Sequence, residues 1–455
     1  MCGILDAEKG KKKLVMKALR TAWPAVLESF FVALVGMVDS FMVSGLGSYA
    51  VAAVSLTTQP KFICLALFLA INIAVSALVA RRKGQEDRDS ANRILLTAVL
   101  CCVAGILIIS SVAVAFADPI MHLAGSEPET HGSAVVYFRI IVGFIVFHVI
   151  SLVINAAQRG SGNTKIAMRS NITSNLVNVI FNYLLIQGNF GFPALGIVGA
   201  AIATVLGTIV ACGMSIASLF REDSFVSVPY MIQKKLLPTV RVLKDIFSFA
   251  STVFAEQLMM RFGFFMSALL TAKLGTEVLA AHQVGMNAMS LSFSFGDGLQ
   301  VAAVTLIGQS LGQGNQTLAK KYGNICQMIG LTISAILAVL FLVFGRWLFY
   351  IFFPNDPQIV ELGVVIIKFM ILIVLVQISQ VVFSGSLRGA GDVRFTTVTS
   401  IISVVIIRPS VSYLAAYALG LGIIGIWIGI LADQGVRLVM NAFRFKTGKW
   451  MNKEI

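Results

Sequence analysis

Five acidic residues lie within long nonpolar stretches of this chain: Glu28, Asp39, Glu256, Asp297 and Asp433. An ionised group is costly there, so such carboxylates are candidates for binding a proton or a small cation. Glu28 and Asp39 are eleven residues apart, about three helical turns, which predicts that both lie on one face of a helix. We predict that Asp39 binds and releases H⁺ or Na⁺. The alternative is that Asp39 pairs with a buried base or lies among the outer lipid headgroups.

A stripe of asparagines recurs at helical spacing in another nonpolar stretch: Asn171, Asn175, Asn178 and Asn182. Their amide oxygens could help to coordinate a cation. They could equally form hydrogen bonds between helices, as polar side chains do inside membrane proteins. The sequence alone leaves both interpretations open.

The other acids support several interpretations. Glu256 follows Glu28 by 228 residues, so each half of the chain could contribute one acid to a common cavity. Alternatively, each of these acids neutralises a local base. Asp433 and Arg437 are four residues apart, which predicts a local ion pair on one helix. No role follows from the sequence for three further charged residues: Lys61, Arg261 and Asp297.

The composition determines the class of protein in which these groups act. Of 455 residues, 57% are hydrophobic and only 12% are charged, whereas soluble domains carry roughly 25% charged residues. This excludes a soluble enzyme, a disordered chain and a coiled coil, and it predicts an all-α polytopic membrane protein. The net charge of +14 does not indicate a nucleic-acid partner, because the basic residues fall in short loops between nonpolar runs.

A helix needs about 20 nonpolar residues to cross a bilayer. The hydropathy pattern predicts twelve such helices, at 21–43, 49–80, 93–117, 133–157, 166–187, 194–219, 245–272, 278–309, 320–345, 359–386, 394–417 and 421–441. Of the 35 Lys and Arg residues, 28 lie in the two tails and in every second loop. Positive loops stay in the cytoplasm, so we predict a protein of the cell (plasma or inner) membrane with both termini cytoplasmic.

The two halves of the chain resemble each other. GSYAVAA at 47–53 aligns with GTEVLAA at 275–281, and LGIVG at 195–199 aligns with LGIIG at 421–425. Six helices per repeat give both copies the same direction, as in one class of secondary transporters. We therefore predict an amino-terminal lobe at 1–220, a cytoplasmic linker at 221–244 and a carboxyl-terminal lobe at 245–455.

Motifs for other chemistries were not found. The sequence has no phosphate-binding Gly-x-x-x-x-Gly-Lys pattern, so an ion gradient is the expected energy source. The six Cys include no Cys-x-x-Cys spacing, and the four His are scattered along the sequence. Neither disulfides nor a metal site are therefore predicted. We predict a transporter without enzymatic activity, with no cofactor beyond H⁺ or Na⁺ as coupling ion.

Several motifs together resemble those of MATE (multidrug and toxic compound extrusion) transporters, in order along nearly the whole chain. They are VDSFMVSGLG at 38–47, RGSGNT at 159–164, LGIVGAAIAT at 195–204, AAHQ at 280–283, LIGQSLG at 306–312 and LRGAGD at 387–392. The resemblance implies two six-helix lobes around a V-shaped cavity. It also implies export of organic, often cationic, drugs in exchange for H⁺ or Na⁺.

The resemblance also implies where the coupling ion binds. The family's first-helix acid corresponds to Asp39, its amino-lobe polar residues to Asn178, Asn182 and Thr204, and its helix-7 acid to Glu256. Many members carry Asp where this chain has Asn182, and some carry Asp at the position of Gln377. These departures weaken Na⁺ coordination, so we favour H⁺ as the coupling ion.

The complete prediction is an antiporter that works by alternating access on small organic substrates, as a monomer in the lipid bilayer. Four residues are predicted to line the substrate cavity: Glu28, Met37, Met260 and Gln283. The alternative is a lipid-linked oligosaccharide flippase of related architecture. That function calls for a strongly basic cavity, whereas the nonpolar segments here contain five acids and five bases.

Overall fold

The computed structural model describes residues 2–221, 224–354 and 356–453, and every regular element in those ranges is helical. Within the helices, the side chains of residues 2–11, 37, 40, 48 and 276 are not described. The helices of the first half are α1 (Cys2–Ser44), α2 (Ser48–Gly84), α3 (Arg88–Ala115), α4 (Ala117–Leu123), α5 (Pro128–Gly143), α6 (Ile145–Gly160), α7 (Thr164–Leu185), α8 (Ile197–Ser218) and α9 (Val228–Gln233).

The second half repeats this order with local differences. Its helices are α10 (Val240–Ala272), α11 (Thr276–Gly312), α12 (Gln316–Phe352), α13 (Pro357–Gly389), α14 (Val393–Ile401), α15 (Arg408–Tyr413) and α16 (Ile423–Thr447). Two π-helical segments, Ile402–Ile407 and Leu414–Ala418, continue α14 and α15. The predicted eleventh span is therefore one continuous helical stretch with two wider turns.

The helices agree with the predicted spans. In the described ranges, ten helices are long and nonpolar enough to cross a membrane, and α5 with α6 forms an eleventh span that bends by 44°. The predicted span at 133–157 thus consists of two helices that meet in a bend at Phe144, which was not predicted from the sequence. The predicted fifth span corresponds to α7, whose 22 residues include the asparagine stripe and two basic residues. Those polar residues explain its weaker nonpolar character.

Backbone geometry supports the internal repeat. Gly47 and Gly275, which precede α2 and α11, have φ values of 109° and 115°. Gly196 and Gly422, which precede α8 and α16, share almost one conformation, with φ/ψ of 56°/−126° and 55°/−127°. Only glycine adopts that conformation without strain. The aligned motifs thus make the same turn at the same place in each half.

The chain forms two compact units, each of whose residues contact mainly one another, and we call them contact units. One contact unit spans Phe30–Ser251. Small residues let its helices approach closely: a Cβ atom at Gly199 of α8 would overlap the backbone of Leu185 at the end of α7. The segment after α8 packs on the start of α3, where Arg88 donates to the carbonyl oxygens of Ser224 (2.9 Å) and Phe225 (3.0 Å). Part of the predicted linker at 221–244 is therefore folded onto this unit.

The other contact unit contains Met1–Ser29 and Thr252–Ile455. Its nonpolar core includes Val26 of α1, which lies against Gly298 of α11. In α16 the ring of Phe445 stacks on Trp450, with ring centroids 5.0 Å apart. Helices α1 and α10 each contribute to both units. The lobe boundaries predicted from the sequence stay a prediction.

Candidate functional site

Asp39 and three of the predicted ion-site residues lie together. Asp39 is on α1, and its Oδ1 accepts a hydrogen bond from Nδ2 of Asn182 on α7. The same amide nitrogen is 3.4 Å from Oδ1 of Asn178, one helical turn away. Nδ2 of Asn178 donates in turn to the hydroxyl of Thr204 on α8, at 3.1 Å. One chain of hydrogen bonds therefore links three helices.

Close packing of α7 on α8 explains this arrangement. Gly207 of α8 lies directly against the backbone of Ser174 in α7, where any side chain would collide. Thr204 lies one turn before Gly207 on α8, and its hydroxyl faces Asn178 of α7. The same hydroxyl donates to the carbonyl oxygen of Ala200 at 3.0 Å. Asn178 and Asn182 of the stripe thus form hydrogen bonds between helices, and Asn182 contacts the carboxylate of Asp39; coordination of a cation by these residues stays a prediction.

The cluster offers oxygen atoms to a small cation. Asn182 is fully buried, and its Oδ1 has no hydrogen-bond partner in the described part of the chain. Asp39 forms no salt bridge with any described residue. A carboxylate whose described hydrogen-bond donor is a neutral amide, together with an amide oxygen without a donor, offers suitable ligands for a small cation, and the carboxylate can alternatively hold a proton.

Two residues outside the prediction complete the surroundings of Asp39. Lys61 of α2 is the base that interacts electrostatically with Asp39. Tyr137 of α5 is buried and lies beside both Asp39 and Thr204. Lys61 could have been identified from the sequence, because it is a single base within a nonpolar span. Nothing in the local sequence marks Tyr137, because its neighbours are brought to it by tertiary packing.

Glu256 belongs to the other contact unit and has partners of its own. Its Oε1 accepts a hydrogen bond at 2.7 Å from Arg388, and its Oε2 accepts one at 3.1 Å from the hydroxyl of Thr397. The side chain of Glu256 is 1% exposed, so this is a buried ion pair. The arrangement agrees with the alternative that Glu256 neutralises a base. Its predicted role in ion coupling stays a prediction.

The predicted cavity residues are not gathered at one place by any described contact. Glu28 is buried in α1, Met260 is half-buried in α10, and Gln283 is exposed on α11. The side chain of Met37 lies outside those that the structure describes. Asp433 does pair with Arg437 at 2.9 Å, as predicted, and Arg408 approaches the same oxygen at 3.8 Å.

The repeat identifies which carboxyl-half residues correspond to this site. The helix ends match: the amide of Leu195 donates to the carbonyl oxygen of Leu185, and that of Leu421 donates to Ala415. Leu185 and Ala415 are 230 residues apart, and we align α7 with its counterpart in the second half at that offset. Asn178 then corresponds to Arg408 and Asn182 to Ser412.

The counterpart of Asp39 follows from the first helices of the two halves. At the offset of 228 residues that aligns them, Asp39 corresponds to Ser267. Nε of Arg408 donates to Oγ of Ser267 at 3.3 Å. The equivalent place in the second half therefore holds a base and a hydroxyl instead of an acid and an amide.

Comparison with known proteins agrees with this architecture. The sequence model of the MatE family matches residues 24–184 and 253–431. "Probable multidrug resistance protein NorM" of Thermotoga maritima is 26% identical and aligns over 98% of this chain and 94% of its own length. "Multidrug resistance protein MdtK" of Yersinia pseudotuberculosis is also 26% identical, over 96% of this chain and 95% of its own.

A solved structure shares the fold. The outward-facing conformation of a multidrug resistance MATE family transporter superposes with a TM-score of 0.88 at 20% identity, over 96% of this chain and 97% of that one. The chain is thus a multi-pass membrane protein with the predicted all-α fold of twelve helices in two lobes. It belongs to the MatE family, which confirms the resemblance seen in its motifs.

Proposed function

We propose that this protein is a multidrug efflux antiporter, which exports small organic and often cationic compounds in exchange for an ion. The names of the relatives from Thermotoga maritima and Yersinia pseudotuberculosis support this substrate class. The same names do not favour the lipid-linked oligosaccharide flippase. Both termini would face the cytoplasm, and substrate would leave outward by alternating access.

The single observation that carries the mechanism is the environment of Asp39. Its carboxylate is held by neutral groups of α7, with no salt bridge to any described residue. A carboxylate held in this way gains most from binding an external cation, because no fixed partner neutralises it. Loading and release of that ion would bias the conformational equilibrium, since an ion can shift an equilibrium only by binding one state better.

Lys61 gives this cycle an internal countercharge. It acts on Asp39 electrostatically without a direct ion pair among the described contacts. When the ion leaves Asp39, the positive charge of Lys61 would offset part of the cost of the bare carboxylate. A countercharge at a distance lowers that cost without blocking the ion's return, which a direct salt bridge would do.

We favour H⁺ over Na⁺ as the coupling ion. Hard cations prefer several oxygen ligands, whereas this site offers one carboxylate, because Asn182 stands where many family members have an acid. A proton needs only the carboxylate. The Asn178 and Thr204 hydrogen bonds would keep Asn182 oriented as the charge on Asp39 changes.

The remaining predictions complete the proposal. The protein would act as a monomer without a cofactor. Its substrates would contact residues that include Glu28, Met37, Met260 and Gln283, and Glu256 would contribute to coupling in the second lobe. These assignments rest on the resemblance to MATE transporters and on the sequence positions of the residues.

The test is dye transport in inverted membrane vesicles. A pH gradient with an acidic interior and a Na⁺ gradient with high internal Na⁺ are imposed separately. We expect the pH gradient to drive dye accumulation and the Na⁺ gradient to have little effect. Accumulation driven by Na⁺ alone would reverse the choice of ion. Dye movement that ignores both gradients would contradict ion-coupled antiport.

A further inference from the structure

Three potential metal ligands meet at the turn between α4 and α5. Asp118 and His122 are four residues apart on α4, so their side chains lie on one face of that helix. His131 lies near the start of α5. One ligand atom from each of the three side chains lies within 4.8 Å of the other two. The four His residues are scattered along the sequence, and the chain reversal between α4 and α5 brings two of them together.

The turn itself is well defined by backbone hydrogen bonds. Gly125 has a φ of +87°, which reverses the chain, and its amide donates to the carbonyl oxygen of His122 at 3.0 Å. The amide of Ser126 donates to Met121 at 3.1 Å, and the amide of His131 donates to Glu127 at 2.8 Å in the first turn of α5. These bonds fix the turn that places His131 beside Asp118 and His122.

The donor atoms are close enough to share one ion after a small adjustment. Nε2 of His131 is 2.9 Å from Oδ1 of Asp118. In a tetrahedral site, two ligands that each lie about 2.0–2.2 Å from the ion are about 3.4 Å apart. The ring of His122 stacks on that of His131, with centroids 4.0 Å apart and an angle of 27° between the planes. Asp118 and His122 are exposed, so an ion can reach the three side chains.

A further hydrogen bond orients the central ligand. Oγ of Ser126 lies 2.6 Å from Nδ1 of His131. Without an ion, Nε2 donates to the carboxylate of Asp118; if the ring instead keeps its proton on Nδ1 and donates it to Ser126, the Nε2 lone pair becomes available to a metal ion. Partners of this kind orient the His ligands of metal sites.

We propose that Asp118, His122 and His131 bind a divalent transition-metal ion of the Zn²⁺ class. Two imidazoles and one carboxylate suit Zn²⁺, Co²⁺, Ni²⁺ or Cu²⁺, whereas Mg²⁺ and Ca²⁺ prefer oxygen ligands. Three protein ligands leave one coordination position open to water. With cytoplasmic termini, the loop between the third and fourth spans faces the outside, where the ion would be acquired.

The site has a structural consequence for a neighbouring cavity. The same turn forms part of the wall of a cavity of about 870 Å³ within the unit Phe30–Ser251, through residues that include Leu123, Gly125 and Glu127. Gln59 and Pro60 of α2 line the same space. An ion that joins α4 to α5 would hold this wall in one conformation.

The first test is direct binding of Co²⁺ and Zn²⁺ to the purified full-length protein, prepared with a tag that contains no histidine and stripped with a chelator. We expect about one ion per chain, with Co²⁺ absorption bands that Zn²⁺ displaces. His122→Gln and Asp118→Asn should lose saturable binding. Ser126→Ala should weaken it about tenfold or more. Asp356→Asn changes an exposed acid elsewhere and should bind as the wild type does.

The second test is local. Zn²⁺ should slow hydrogen exchange of the 118–131 backbone in the wild type and have no such effect in His122→Gln. His122 is exposed, so this variant should fold, and its thermal unfolding in chelator should match the wild type. No saturable Co²⁺ or Zn²⁺ binding by the wild type, or undiminished binding by His122→Gln, would overturn the proposal.

Discussion

The two halves of this protein put opposite chemistry at equivalent positions of the repeat. In the first half, Asp39 accepts a hydrogen bond from an amide of α7. In the second, Ser267 replaces the acid, and Arg408 donates to it at 3.3 Å. Arg408 and Arg437 in turn share Asp433, so the second cluster already contains its own cations and anion. We propose that the first cluster accepts an external cation, whereas Arg408 already supplies a positive charge in the second.

Glu256 extends the comparison. It is buried in a nonpolar segment, yet it pairs directly with Arg388. Acids that look alike in sequence therefore differ in what is available to neutralise them. In the described contacts Asp39 accepts its hydrogen bond from a neutral amide, whereas Glu256 and Asp433 pair directly with arginines. This difference is why we propose Asp39 as the ion site.

The largest expected effect is that of Asp39→Asn. Removing the charge removes the ion site, so we expect complete loss of drug resistance in cells with unchanged protein abundance. Asp245→Asn changes an exposed acid at the start of α10 and should leave resistance intact. The measurement is the inhibitory drug concentration together with an immunoblot of membranes. Full resistance with Asp39→Asn would remove this carboxylate from the mechanism.

Moving the acid to the other half should not restore activity. In an Asp39→Asn background, Ser267→Asp places a carboxylate beside Arg408, where a buried ion pair would neutralise it. We expect efflux to stay at the level of Asp39→Asn alone. Recovered efflux would mean that an acid works equally well at either of the two equivalent positions, which would contradict the difference between the halves.

Glu256→Gln should act on stability. Breaking a buried ion pair leaves Arg388 without its partner and costs about 3–5 kcal/mol. We therefore expect a large fall in the thermal unfolding temperature of the detergent-purified protein. The double variant Glu256→Gln/Arg388→Met should recover part of it, because no charge is left uncompensated. An unchanged unfolding temperature with lost transport would instead support the predicted coupling role of Glu256.

The smallest expected effect concerns the repeat itself. Gly196→Ala and Gly422→Ala place a side chain at almost identical backbone angles. Each should cost about 1–3 kcal/mol through backbone strain, and the two losses should be similar. Thermal unfolding of the two variants, with Gly213→Ala as a control in a glycine of α8 that has open space around it, measures this. Unequal losses of stability would show that the two positions differ in their surroundings although their backbone angles match.

Much of the fold followed from the sequence because hydropathy and loop charge are local properties. The spacing of the asparagines also placed Asn178 and Asn182 on one face of α7, and the resemblance to MATE transporters linked them with Asp39 and Thr204. The bend at Phe144 was not predicted, because the single glycine before it, Gly143, does not by itself indicate a bend in a nonpolar span.

The partners of the charged groups could not be predicted. Glu256 and Arg388 are 132 residues apart in the chain, and no local pattern relates them. Tyr137 meets Asp39 only through the packing of α5. His131 meets His122 because a tight turn reverses the chain. Each of these contacts depends on tertiary structure, which spacing along the chain does not determine.

The most direct test of the central claim is to follow ion and substrate together in liposomes that contain purified protein. A trapped indicator reports ion movement while a fluorescent substrate reports transport in the opposite direction. We expect substrate movement to drive counter-movement of the ion in the wild type, and Asp39→Asn to abolish this counter-movement. Ion movement that persists undiminished in Asp39→Asn would contradict the assignment of the ion site to Asp39.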